Sequence, residues 1–203
     1  MPTRDSRRWA LLGLGAASLL LCPLALPQQD VKPTWDGSAL RLRAGNVHFL
    51  SGRALDIIRN GRAVAYDFQL SLLANGATVR RSLQRFVISY DLWEERFRVT
   101  RLASGNLPRL AASNLTLSAA EAWAVENLSL ATEGLASTTP YTVQLEVRAE
   151  PEADTSAAAQ AERGISLAAL VEIFSRPARS QQQKWSVQAA PATLDQMRTQ
   201  GGR

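Results

Sequence analysis

Cysteine and histidine are almost missing from this chain: 203 residues hold one of each, Cys22 and His48. A single thiol excludes a disulfide framework and any thiolate metal cluster, and one imidazole excludes a multi-histidine metal site. A Ser-His-Asp triad would have to use His48, and no G-x-S-x-G elbow accompanies it. The glycines follow no phosphate-cradling spacing. Lysine is scarce too, with Lys32 and Lys184 set against 21 arginines; this bias matches a GC-rich bacterial genome and carries no chemistry. What is present is ordinary for a folded domain. Hydrophobic residues make up 46% and charged residues 20%, with a net charge of +5. That apolar content builds a core, and the length fits one domain.

The chain starts basic, with Arg4, Arg7 and Arg8, and then runs uncharged from Trp9 to Gln29 around an apolar heart at Ala10 to Cys22. A basic start before a short apolar run marks a secretory signal peptide. No processing pattern is complete. Pro23 stands at −3 if Ala25 ends the leader, Leu21 precedes Cys22, and Ser6-Arg7-Arg8 is only part of a twin-arginine motif. The stretch also approaches the roughly 20 residues that span a bilayer. Residues 1–27 are therefore expected to be a signal peptide or an N-terminal membrane anchor with Arg7 and Arg8 inside. Without residues 1–25 the net charge falls from +5 to +3. Little then remains of the basic footprint of a nucleic-acid binder, and no nucleic-acid partner is expected.

Residues 28–37 read as a polar linker and 38–190 as a single α+β domain. Leu40, Leu42 and Ala44 alternate with arginines as a first strand, and Val47 to Leu50 is its expected hairpin partner after the Gly45-Asn46 turn. Ser51 to Asn60 predicts a helix with Gly61 just past its end. Val64, Tyr66, Phe68, Leu70 and Leu72 share one face of a strand whose other face, with Asp67, is expected to meet water. Asn75-Gly76 is a hairpin turn. Residues 79–102 form a second hairpin about Trp93-Glu94. Its paired positions sum to 187, so that Tyr90 faces Phe97, Ile88 faces Val99 and Asp91 faces Arg96. A change of phase predicts a bulge near Gln84-Arg85. Residues 106–117 hold an irregular strand. Ser118 and Glu121 form a capping box for a second helix, with Ala120, Trp123, Ala124 and Leu128 facing inward. Tyr141 to Val147 is a strand, with Glu146 on its wet side. Residues 150–163 are a flexible insertion, Leu167 to Phe174 a third helix, Lys184 to Ala189 a last strand, and 191–203 a disordered tail. The fold expected is α+β: an antiparallel sheet or sandwich of six to seven strands with two or three short helices.

The order of features from Gly45 to Gln188 resembles the bacterial family known as domain of unknown function 4390. The resemblance rests on Ala54-Leu55 to Gly61 ahead of the strand Val64 to Leu72, on Tyr90 and Phe97-Arg98-Val99 flanking the hairpin turn, and on Trp185 before the closing strand. The long 150–163 insertion and the Ala-rich helix around Trp123 depart from it. The resemblance implies an exported envelope protein with no established activity, and a signalling or membrane-protein partner.

No catalytic residue, metal ligand or cofactor is assigned. Glu94-Glu95 point apart in their turn, and Asp67 and Glu146 are separate strand positions. The candidate binding patch is the hairpin's arginine set: Arg80, Arg81, Arg85, Arg96, Arg98 and Arg101. Guanidinium forks suit phosphate and carboxylate. The expected function is a non-enzymatic module that binds an envelope or membrane protein at the periplasmic face of the membrane. The alternative is a binder of anionic lipid or acidic glycan through hairpin 79–102.

Overall fold

Strict alternation over long strands builds the centre of this protein, seen in a computed structural model that describes residues 30–103, 108–150 and 183–200. Strand β1 (Val31–Trp35) and β2 (Ala39–Ala44) lead into helix α1 (Gly52–Arg59). Then follow β3 (Val64–Ala74), β4 (Ala77–Asp91), β5 (Arg96–Arg101) and β6 (Leu110–Leu115). Helix α2 (Leu117–Glu126) and β7 (Ser129–Ala131) precede β8 (Pro140–Glu150). The last elements are β9 (Lys184–Gln188), β10 (Ala192–Thr193) and helix α3 (Leu194–Gln200). A seven-stranded sheet runs β10-β8-β3-β4-β5-β6, with β9 also on β8, and a three-stranded sheet runs β1-β2-β7. All pairings are antiparallel, and the α+β class is as expected.

Turn chemistry fixes the register. Asn75 and Gly76 both have positive φ, 49° and 78°, the geometry of a two-residue turn that matches strand twist. The β4–β5 pairing follows the expected sum throughout, with Tyr90 opposite Phe97, Ile88 opposite Val99 and Asp91 opposite Arg96. The expected bulge at Gln84-Arg85 is absent. Pairing is regular there, and the irregularity lies between Leu72 and Leu73, opposite Thr78 and Arg80. The apparent phase change has a different cause. Leu83, Arg85 and Val87 are as buried as their neighbours Gln84, Phe86 and Ile88, so apolar residues are needed on both phases.

One face of the large sheet carries Tyr66, Phe68, Leu70, Phe86, Ile88, Val99, Val143, Leu145 and Val147 into the main core. The small sheet and both long helices close over it, through Leu40, Leu42, Ala54, Ile58, Ala120, Ala124 and Val125. Rings meet edge-on along the core, with Phe49–Phe68 centroids 5.2 Å apart, Phe68–Phe86 at 4.8 Å and Phe86–Trp123 at 6.2 Å. Each fully buried large side chain contributes about 1.5–3 kcal/mol.

The opposite face is not wet. Ala65, Asp67 and Ser71 on β3 and Glu146 and Arg148 among their β8 neighbours are all buried. A sheet covered on both faces must therefore solve the placement of charge as well as of oil.

Both ends of the domain were underestimated. Residues 31–35, read as linker, pair along their whole length with β2. Pro33 masked this, yet an edge strand tolerates the missing N–H. Val47 to Leu50 is not the hairpin partner, because β1 and β7 already occupy the two sides of β2. Its Val47, Phe49 and Leu50 are buried as a packed loop instead. Residues 192–200, read as tail, form β10 and α3. Thr193 and Gln196 make a reciprocal box: the Thr193 N–H donates to Gln196 Oε1 at 2.9 Å, and the Gln196 N–H donates to Thr193 Oγ1 at 3.2 Å. That T-x-x-Q pattern is a helix-start signal. Leu194 and Met197 then sit in the core, and the Arg198 guanidinium lies 4.5 Å from the Trp35 ring centroid. Glu150, expected to open the 150–163 insertion, instead ends β8; the leader, residues 151–163 and the helix expected at 167–174 lie outside the described residues.

If 191–203 were a tail, changing Met197 would cost nothing. Met197→Ala is expected to lower stability by about 2–5 kcal/mol in chemical denaturation, with the midpoint displaced and the slope preserved.

Candidate functional site

Register decides what becomes of the arginine set. Arg81, Arg85, Arg96 and Arg98 fall on the sheet face that carries Asp67, whereas Arg80 and Arg101 fall on the core side, opposite Leu72 and Phe86. Arg80 is exposed and donates from Nη2 to the Glu133 carbonyl at 3.0 Å. Arg101 is buried and donates to the Asn127 carbonyl at 2.7 Å and the Pro108 carbonyl at 3.1 Å. Arg85 is only 3% exposed. The six arginines are therefore not one patch. Arg81 is also remote from Arg98, since eight residues of strand separate it from Ser89, Arg98's partner, or about 26 Å.

Arg85 belongs to a buried network. Its Nε and Nη2 grip Asp67 at 2.6 and 2.7 Å, and Nη2 also reaches Glu150 at 2.8 Å. Arg148 donates from Nε to Glu146 at 2.7 Å, and Lys184 reaches the same carboxylate at 3.0 Å. Pairing puts Arg85, Asp67, Arg148 and Lys184 in one row across β4, β3, β8 and β9. Asp67 and Glu146, expected to face water, are instead structural members of this network. Burial opposes charge on Arg85, but Asp67 and Glu150 outweigh it and hold the guanidinium above its ordinary pKa. Burial pushes the Asp67 carboxyl up, with the Arg85 fork pulling the other way. Burial also disfavours charge on Glu146, yet Lys184 and Arg148 prevail and hold it below its ordinary value.

The sequence reading also missed Glu121. It does not cap α2; Thr116 does, accepting from the Ala119 N–H at 3.3 Å. Glu121 is 1% exposed and accepts the Leu50 N–H on Oε1 at 2.8 Å. Its Oε2 lies 3.5 Å from His48 Nδ1. The carboxylate thus pins the packed loop of Val47 to Leu50 to α2. Burial pushes the Glu121 pKa up, against the pull of the Leu50 N–H and His48. Glu121 in turn adds to the burial that raises the Tyr66 phenol. A Glu three residues past Ser118 gave the capping signal; the contact to Leu50 spans 71 positions and has no local signature.

The surface feature that remains is the tip of the β4–β5 hairpin. Trp93 is 97% exposed and Leu92 58% exposed. The loop is held from within: Asp91 Oδ1 accepts the Trp93 N–H at 2.9 Å and the Glu94 N–H at 3.1 Å. These backbone donors depress the Asp91 pKa. Tyr90 and Phe97, centroids 4.8 Å apart, brace the strands below it. Leu92 leans on α1's end, its Cδ1 3.2 Å from where a Gly61 Cβ would stand. Gly61 has φ +80°, a conformation that favours glycine there.

Beside the tip lies an open depression of about 240 Å³. Asp91, Glu94, Arg96 and Arg98 line it, with Ser89, Ser113 and Asn114. Ser113 and Asn114 oppose Arg98 where β6 has one residue more than β5, and Asn114 takes a φ of 60°. Such a bulge re-aims side chains at a sheet rim. The site offers donors and acceptors in balance next to a bare indole.

No protein-family model matches the chain, and neither a curated protein nor a solved structure is detectably similar to it.

Two outcomes are expected of the buried charges. Arg85→Met and Asp67→Leu should each cost about 3–5 kcal/mol by stranding a partner, while the double variant costs less than the two summed; a double-mutant cycle by denaturation reads this. For Glu121 the raised pKa sets the sign. Its contribution to stability is full below the ordinary value of 4.5 and is lost as pH rises towards the folded value. Glu121→Gln keeps an acceptor for Leu50 and should flatten that decline in a pH series of melts. Glu121→Ala leaves the Leu50 N–H unpaired and should cost about 1–3 kcal/mol.

Proposed function

We propose that the chain is an exported bacterial envelope protein whose domain binds a protein partner without catalysing a reaction. It would act in the periplasm or anchored to the inner membrane on its periplasmic side. The basic leader with its apolar run supports the location, as does the resemblance to the domain of unknown function 4390 family. The observation that carries the binding reading is Trp93, 97% exposed on a loop that Asp91, Gly61 and the Tyr90–Phe97 pair hold still. Exposed tryptophan is costly surface, and tryptophans dominate the centres of protein interfaces. A loop already fixed loses little entropy on binding. Polar groups around the indole form the rim that such interfaces use.

A second reading has one observation in its favour: Arg81, Arg96 and Arg98 are exposed on a common face. They would meet anionic lipid or acidic glycan. Asp91, Glu94 and Glu95 stand beside Arg96 and Arg98, however, and oppose an anionic surface.

The test is a photo-crosslinking residue in place of Trp93 in the tagged full-length protein, in cells of its source. A discrete protein adduct, lost when the crosslinker replaces Arg81 instead, is the expected outcome. Binding to anionic vesicles that falls steeply with salt and is abolished by Arg96→Glu with Arg98→Glu, with no protein adduct, would replace this reading with the lipid one. Mass spectrometry of the same preparation shows whether residues 1–27 remain attached.

A further inference from the structure

Among the described residues, the edge of the large sheet next to the hairpin tip is open. Strand β6 pairs only with β5, and among the described residues no backbone bond runs to its outer side. Leu110, Ala111, Ser113 and Asn114 are exposed. Its sequence, LAASNL, holds no charge and no proline, the two commonest means of keeping foreign strands off an edge. The other margin is different. It is divided between β9, which begins with Lys184, and the two-residue β10. In the small sheet, β7 has three residues and α3 packs along β1.

Resting on the protein-binding reading, we infer that the partner supplies an extended segment that adds to β6 as a further strand, running past the depression to meet Trp93. Charge decides the class of occupant. The depression matches Arg96 and Arg98 with Asp91 and Glu94, so it presents no net charge to a polyanion. Balanced donors and acceptors beside an uncharged, unpaired edge complement a peptide main chain, whose own groups alternate in the same way. Trp93 and the 39% exposed Leu110 then receive apolar side chains of the added strand. The bulge at Ser113-Asn114 ends the regular edge and directs the segment towards the tip.

A random heptapeptide phage library selected on the immobilised full chain supplies the probe. Enriched peptides, synthesised and labelled, are expected to slow amide exchange at alternate residues of Leu110–Ser113. Their affinity should change less than about threefold between low and moderate salt, because few ions are released. Ala111 and Ala112 pair with Thr100 and Val99. Of these neighbours one directs its N–H outward. Of A111P and A112P, the variant that keeps the parental melting temperature should therefore lose peptide affinity about tenfold or more. If neither folds, the exchange map alone decides. No enriched peptide, protection away from β6, a folded proline variant that binds as the parent does, or binding that collapses with salt would each overturn strand addition. A Trp93 protein adduct that survives in the folded proline variant would overturn it too, and would leave the protein-binding reading standing.

Discussion

The ion pair between Arg85 and Asp67 is the constraint around which this domain is arranged. Its two side chains are 3% and 0% exposed, and charges so placed are tolerable only with close and complete pairing. Asp67 is the one carboxylate on β3, and it lies between Arg85 of β4 and Arg148 of β8. That position makes β3 the central strand of the three. A slip of one residue would exchange Asp67 with Phe68, putting a carboxylate among core rings and a ring among charges. Glu150 and Glu146, one pleat to either side, complete the compensation. Hydrophobic alternation proposes the pairing, and the buried charges forbid its neighbours.

The same arrangement explains what could be read in advance. The β4–β5 register was legible because both faces of the hairpin voted for it, apolar opposite apolar and acid opposite base. Helix α1 was legible from Ile57, Ile58 and the terminal Gly61. The burial of Asp67, Glu146 and Arg85 was not. Alternating polar residues look identical whether they face water or pair with each other, and only the third strand reveals which. Glu121 was assigned by a local rule to the end of its own helix, while its bond goes to a distant loop. At the termini, Pro33 and a seven-residue helix gave signals too short for periodicity, although the Thr193-Gln196 box was there to be seen. The candidate patch failed for a related reason. Proximity in sequence along a hairpin is not proximity on a face, and Arg80, Arg85 and Arg101 were diverted to structural bonds.

Rigidity at the root of the hairpin is what gives its tip meaning. Below the loop, Tyr90 packs on Phe97, and at its side Leu92 rests on Gly61. Asp91 spends an oxygen on two loop N–H groups, so the turn is closed by the side chain that precedes it. An indole on a flexible loop would fold back onto the apolar surface of its own domain. Held on this frame, Trp93 stays in solvent at a continuing hydrophobic cost.

Electrostatic range separates the two functional readings. At physiological ionic strength a charge is felt over about 8 Å. Arg81 stands roughly three such lengths from Arg98, by the strand rise of about 3.3 Å per residue, so the two do not sum into one field. Arg96 and Arg98 do act together, but within that same range they are offset by Asp91 and Glu94. A count of arginines in the sequence therefore overstates the attraction this face exerts on an anionic surface. What survives at short range is hydrogen-bonding capacity, an unpaired strand edge and one bare aromatic ring. Those elements would suit the backbone and side chains of another polypeptide, the proposed partner, better than a layer of phosphates, because phosphates reward net positive charge and this rim has none to offer.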